Sequence, residues 1–167
     1  CLNCYAEKMA MRLHAAKMFK YRRGFDVTLH PGVLADLRKR REKPGRRWLV
    51  CSMGDLFHDQ VDFDFLDKAF DAMSRKPREI FLALTKRSHR MMVFANAYQE
   101  RRGVWPENIW LGVTVECADY ENRIQDLLRV TMAKKWISLE PLLAPPGLFL
   151  EPYLEDLDWV VAGAETG

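Results

Sequence analysis

Cys1 and Cys4 enclose two residues and run straight into Tyr5-Ala6 and a helical pattern. Two thiolates at that spacing point to a metal or a redox site. A pair is only part of a metal site, since structural zinc takes four nitrogen or sulfur ligands and an iron–sulfur centre takes several cysteines. Cys51 lies inside an apolar run and Cys117 follows another, so both read as buried or strand-end cysteines that do not extend the motif. A thiol–disulfide pair, its pKa lowered at a helix start, is the alternative chemistry. The long strand–helix series that follows does not suit so small a redox fold. No Met precedes Cys1, and we expect a fragment cut at or just before this motif.

A second group of polar residues closes the apolar runs. Side chains two apart on a strand share a face, and four runs end in one arrangement: Thr85 and Arg87, Thr114 and Glu116, Ser138 and Glu140, Gly163 and Glu165. A fifth run ends in Ser52-Met53-Gly54-Asp55, with His58 just beyond. Glu116, Glu140 and Glu165 are the candidate catalytic residues, because neighbouring carboxylates can divide general acid and general base work. Any one of these residues could simply cap a helix or satisfy a loop, as Asp55 and Thr85 could. Capping does not require Glu on the same strand face three times.

The elements that must position these groups are visible as short apolar runs. Trp48–Cys51, Ile80–Leu84, Ile109–Val113, Trp136–Leu139 and Trp159–Ala162 read as buried strands. Between them, Phe63, Leu66, Phe70 and Met73, then Met91, Ala95 and Tyr98, then Tyr120, Ile124, Leu127 and Leu128 recur at helical spacing. An earlier helix would place Tyr5, Met9, Leu13 and Ala16 on one face, and Val27–His30 reads as a short strand before Pro31 opens another helix. Such alternation gives a parallel sheet covered by helices, either a parallel (β/α) barrel or partial barrel or an open doubly wound sheet. A shared mouth at the strand C-terminal ends, where these folds build their sites, favours the barrel. We expect one partial (β/α)-barrel domain over residues 1–167.

With 49% hydrophobic and 29% charged residues the chain can bury a core, which excludes disorder. No run reaches the roughly 18 apolar residues of a membrane helix, and no signal peptide is visible, so no membrane partner is expected. Four cysteines are too sparse for a disulfide scaffold and point to a reducing cytoplasm. The net charge is +3, and basic residues gather between Arg38 and Arg47. Such a run reads first as a solvated helix end and second as a phosphate-binding patch. Trp48, Trp110, Trp136 and Trp159 read as barrel–helix packing rather than base-stacking platforms.

Cys1-x-x-Cys4-Tyr5-Ala6, Ser52-Met53-Gly54-Asp55-Leu56-Phe57-His58, Leu84-Thr85-Lys86-Arg87, Gly112-Val113-Thr114-Val115-Glu116, Ser138-Leu139-Glu140-Pro141-Leu142-Leu143 and Asp158–Gly167 occur in order along the whole chain. Together they resemble a phage-associated three-cysteine-motif family of uncharacterised function that is radical S-adenosylmethionine (SAM)-like. The resemblance implies a radical SAM/TIM-barrel-like fold truncated at both ends, without the upstream strand that carries the first motif cysteine and without a C-terminal tail. It implies a [4Fe–4S] cluster and SAM as cofactors, with Cys1 and Cys4 as two of three iron ligands. Ser52, Asp55, Thr114 and Ser138, together with Glu116 and Glu140, would then contact SAM or substrate.

Two departures stand out. Ala164 and Thr166 replace the usual Gly and Ser, and the glycine-rich segment ending in Glu-Pro that normally orients the SAM amino group has only Ser52-Met53-Gly54-Asp55 in its place. The implied function is a radical SAM-like iron–sulfur enzyme of phage or mobile-element origin acting on an unknown substrate, with nucleic acid or nucleotide as one substrate class. A three-Cys-motif partner protein is a further partner left open. Two other classes also stay open. One is a carboxylate- or metal-dependent barrel hydrolase using Glu116, Glu140 and Glu165. The other is a zinc-containing nucleic-acid-binding protein whose basic segment contacts phosphates.

Overall fold

A computed structural model describes residues 4–164. Five parallel strands, β1 (Arg47–Val50), β2 (Ile80–Thr85), β3 (Ile109–Thr114), β4 (Lys134–Leu139) and β5 (Trp159–Ala162), lie side by side in chain order. Each expected apolar run is a strand. Because every crossover moves one strand along in the same right-handed sense, the connecting helices collect on one face of the sheet. Arg47 and Trp159, on opposite edge strands, line one cavity of about 160 Å³ together with Ile80, Leu82, Trp110 and Asp158. The sheet is therefore curled into a half-barrel.

The helices are α1 (Tyr5–Ala15), α2 (Pro31–Lys39), α3 (Phe63–Ser74), α4 (Ser88–Arg102), α5 (Asn122–Leu128) and the short α6 (Gly147–Leu150). Asp62 starts α3 by accepting the Phe65 amide at 2.6 Å, and Gly103 ends α4 in the left-handed conformation that lacks a penalty only for glycine. The core lies between helices and sheet. Leu66 and Phe70 of α3, Met91 and Phe94 of α4, and Ile124 and Leu127 of α5 pack on Ala83, Leu111, Val113, Ile137 and Leu139. Burying each large side chain of this set contributes roughly 1.5–3 kcal/mol.

Three expectations fail here. The face of α1 that is buried carries Ala6 and Ala10, whereas Tyr5 and Met9 are 65% and 41% exposed, because the helix packs through its small residues. Val27–His30 sets Val27 and Leu29 against the core but forms no strand and pairs with none among the described residues. Of the four tryptophans read as barrel–helix packing, only Trp48 is on the helix side. Trp110, Trp136 and Trp159 occupy the concave face, where Trp136 stacks on Trp159 with ring centroids 5.5 Å apart.

Candidate functional site

Register fixes which strand-end groups meet. Residues paired in neighbouring parallel strands share a face, so the pairings Gly112↔Trp136, Thr114↔Ser138 and Ser138↔Val161 put Thr114, Ser138 and the positions two beyond them, Glu116 and Glu140, on the concave side. In β2 that side carries Ile80, Leu82 and Leu84, and next in phase comes Lys86. Thr85 is out of phase. It pairs with Val113 and belongs with Phe81 and Ala83 on the helix side, so the expected match between Thr85 and the Thr114 and Ser138 positions is wrong by one residue. An apolar run buried on both faces carries no alternation from which that phase could be read.

Lys86 rather than Arg87 is therefore the mouth residue of β2. Its ammonium pairs with Glu116. The other Glu116 oxygen receives Arg123 of α5 at 2.8 Å, and the same guanidinium donates to the Thr114 carbonyl at 2.7 Å. Glu116 is 7% exposed, so its negative charge is held by two cations rather than by water. The sequence does not single out Lys86 or Arg123, although Arg123 lies only seven residues beyond Glu116 and reaches back to it from the first turn of α5.

Glu140 has a different environment. It is exposed, and one oxygen accepts the Ser138 hydroxyl at 3.0 Å. A Cβ on Gly163 would stand 2.8 Å from the other oxygen, so the absence of a side chain on β5's extension gives the carboxylate its place. The loop after β4 arches over the mouth, with the Leu142 amide donating to the Gly163 carbonyl and the Leu143 amide to the main-chain carbonyl of Glu116. Glu165, the third acid, lies outside the described residues.

Beyond β1, Asp55 is the hub of a polar lock. It accepts the Phe57 amide at 2.9 Å, the Thr85 hydroxyl at 2.8 Å and Arg87 at 3.0 Å, while Arg87 also reaches Asp59. His58 accepts the Gln60 amide through Nδ1 at 3.2 Å, a local loop bond. Cys51 adopts φ 57° at the end of β1. Although the residue is exposed, protein crowded around its thiol pushes the pKa up and the Asp55 carboxylate adds to the shift. A thiol held neutral is a poor metal ligand.

Ser52 is exposed, and its carbonyl accepts the Tyr5 hydroxyl across 47 positions of chain. That bond ties the start of α1 to the loop at the C-terminal end of β1. Cys4 is the N-cap residue of α1, half-buried and free, and its side chain makes no capping bond. The described part of the motif therefore suits a metal–thiolate site in its donor chemistry and its place at the mouth. Cys1 lies outside the described residues. Among those described, no three His, Cys, Asp or Glu side chains converge as a metal-ligating group, and no helix is long and apolar enough to cross a membrane.

The chain belongs to the family described as a protein of unknown function, DUF5131, whose model matches residues 1–167. No curated protein and no solved structure matches it.

Proposed function

We propose that the half-barrel mouth is the site of a radical SAM-like iron–sulfur enzyme, with Cys1 and Cys4 among the cluster's ligands. The observation that supports this most is the Tyr5–Ser52 bond, which ties the start of α1, with Cys4 at its N-cap, to the C-terminal end of β1 in the same sheet whose β3 and β4 end in Thr114, Glu116, Ser138 and Glu140. Bound by thiolates there, a [4Fe–4S] cluster would supply the electron for reductive cleavage of SAM.

The chain's own groups have separable roles. Glu140, exposed and with one oxygen free of donors among the described residues, would hold a cationic or hydroxyl group of SAM or substrate, with Ser138 orienting it. Thr114 and Glu116 would shape the floor, since both Glu116 oxygens are already engaged. Asp55 would position the Ser52–His58 loop against SAM through its bonds to Thr85 and Arg87. That same engagement of Glu116 weighs against a hydrolase in which this residue is a general base, because Lys86 and Arg123 already occupy its two oxygens.

Anaerobic reconstitution of the full-length protein with iron and sulfide tests the proposal. A brown species absorbing near ~400 nm is expected, lost in Cys4→Ala and retained in Cys51→Ser and Cys117→Ser. Reduced protein with SAM should release 5′-deoxyadenosine. Tight zinc binding with no iron–sulfur absorption would replace the proposal with a structural metal site.

A further inference from the structure

Residues 38–47 hold seven of the chain's 26 Lys and Arg but only one, Glu42, of its 23 Asp and Glu. The rest of the chain has 19 basic and 22 acidic residues, so this segment alone makes the balance of +3 positive. Arg38 and Lys39 close α2, where the helix dipole accounts for cations. Arg41, Lys43, Arg46 and Arg47 have no such account.

The segment is also pinned from beneath. The Glu79 carboxylate, fully buried, receives the Arg40 fork, the Lys43 amide at 2.6 Å and the Trp48 indole at 2.9 Å. The Lys76 ammonium donates to the Arg38 and Arg40 carbonyls. Arg40 and Arg46 both cover the Trp48 ring, at 4.8 and 5.1 Å. Glu42, the one acid, is taken up by Arg78 at 3.1 Å. Arg38, Lys39, Arg41, Lys43 and Arg47 are left exposed and, among the described residues, in no ion pair.

We propose that this segment is a docking surface for the phosphate backbone of nucleic acid. Gathering like charges costs self-repulsion that a polyanion relieves. A backbone already fixed by Glu79 and Lys76 loses little freedom on binding. Five of the seven cations are Arg, whose planar fork matches phosphate. An anionic bilayer is the weaker occupant, because amphipathic membrane surfaces insert apolar side chains beside their cations. Residues 38–47 carry no large apolar side chain, and the flanking Trp48 is half-buried and covered by two guanidiniums. The surface lies at the N-terminal end of β1, opposite the mouth, and does not depend on the iron–sulfur proposal.

Fluorescence anisotropy of the full-length protein with labelled 20-nucleotide single and duplex DNA and RNA, across a salt series, tests this. Binding should weaken with salt, and the double variant Arg41→Gln, Lys43→Gln should lower the log–log salt slope by about 2 and the affinity about tenfold. Lys8→Gln with Lys68→Gln, the same change in net charge on exposed residues elsewhere, should leave affinity within about twofold. Both pairs should melt with the parent protein, since none of the four side chains is buried or, among the described residues, ion-paired. No binding by the parent, equal losses in both pairs, or capture by phosphatidylserine vesicles without oligonucleotide binding would each overturn the proposal.

Discussion

The indole of Trp136 lies over Gly112 so closely that a Cβ there would stand 2.4 Å from two of its ring atoms. The two residues pair in register across β3 and β4, on the concave face. Gly112→Ala should therefore cost roughly 1–3 kcal/mol through overpacking, read as a fall in urea midpoint. Combining it with Trp136→Leu should cost less than the sum of the single changes. Strict additivity would mean that the indole moves aside freely.

Glu116 and Glu140 should separate under the same isosteric change. Glu116→Gln leaves Lys86 and the largely buried Arg123 without a counter-charge and should cost roughly 2 kcal/mol, somewhat below the usual penalty for a fully buried pair because Lys86 is 34% exposed. Glu140→Gln, at an exposed position, should change stability by less than about 0.5 kcal/mol while weakening SAM binding measured by calorimetry. Equal melting temperatures for both variants would contradict the two-cation clamp.

Glu79 makes a pH prediction. Hydrogen bonding from Arg40, opposed by burial and helped by the Lys43 amide and Trp48, holds its carboxyl at about 2, below the ordinary 4.5. A depressed folded-state pKa contributes stability that is fully present above about 4.5 and is lost as pH falls towards about 2. Glu79→Gln should be less stable than the parent at neutral pH and show a shallower loss over that acid window, checked by denaturant midpoints at a series of pH values. Parallel pH profiles would exclude Glu79 as the titrating group.

Tyr98 makes the alkaline counterpart. Burial first, then its hydrogen bond to Asp71, push the phenol up to about 12 from 10. The neutral form stabilises the fold below about 10, and that contribution fades as pH rises towards about 12. Tyr153 is also raised, chiefly by its hydrogen bond to Glu121, so absorbance titration should show late ionisation among the five tyrosines that Tyr98→Phe diminishes. A parent titration already free of a late step would refute the assignment.

The strands were legible because five apolar runs separated by helical spacing leave little choice of architecture, and β5 matches its run, Trp159–Ala162, residue for residue. Strand phase was not legible. Ile80–Leu84 is apolar at every position, so nothing in it shows that Lys86 and not Thr85 shares a face with Glu116. The carboxylates at β3 and β4 could be placed because Thr114-x-Glu116 and Ser138-x-Glu140 repeat a polar pair at fixed spacing. Their partners could not, since Arg123 arrives from α5 and Tyr5 from the start of α1, contacts that depend on tertiary placement. The tryptophans misled for a related reason: an indole fits either face of a curled sheet, and only the gap at Gly112 shows that Trp136 fills the inner one.

That inner face carries a built-in optical array. Trp136 and Trp159 lie 5.5 Å apart at 28°, and Trp110 meets Trp159 edge-on at 6.5 Å. Transition dipoles this close couple, so the three chromophores should give an excitonic circular-dichroism band that a Trp159→Phe change abolishes. The Trp136 indole N–H is buried without an acceptor among the described residues, and Trp110 and Trp159 both border the cavity. Any guest entering there would perturb the band and the emission together, so the half-barrel reports its own occupancy without a label.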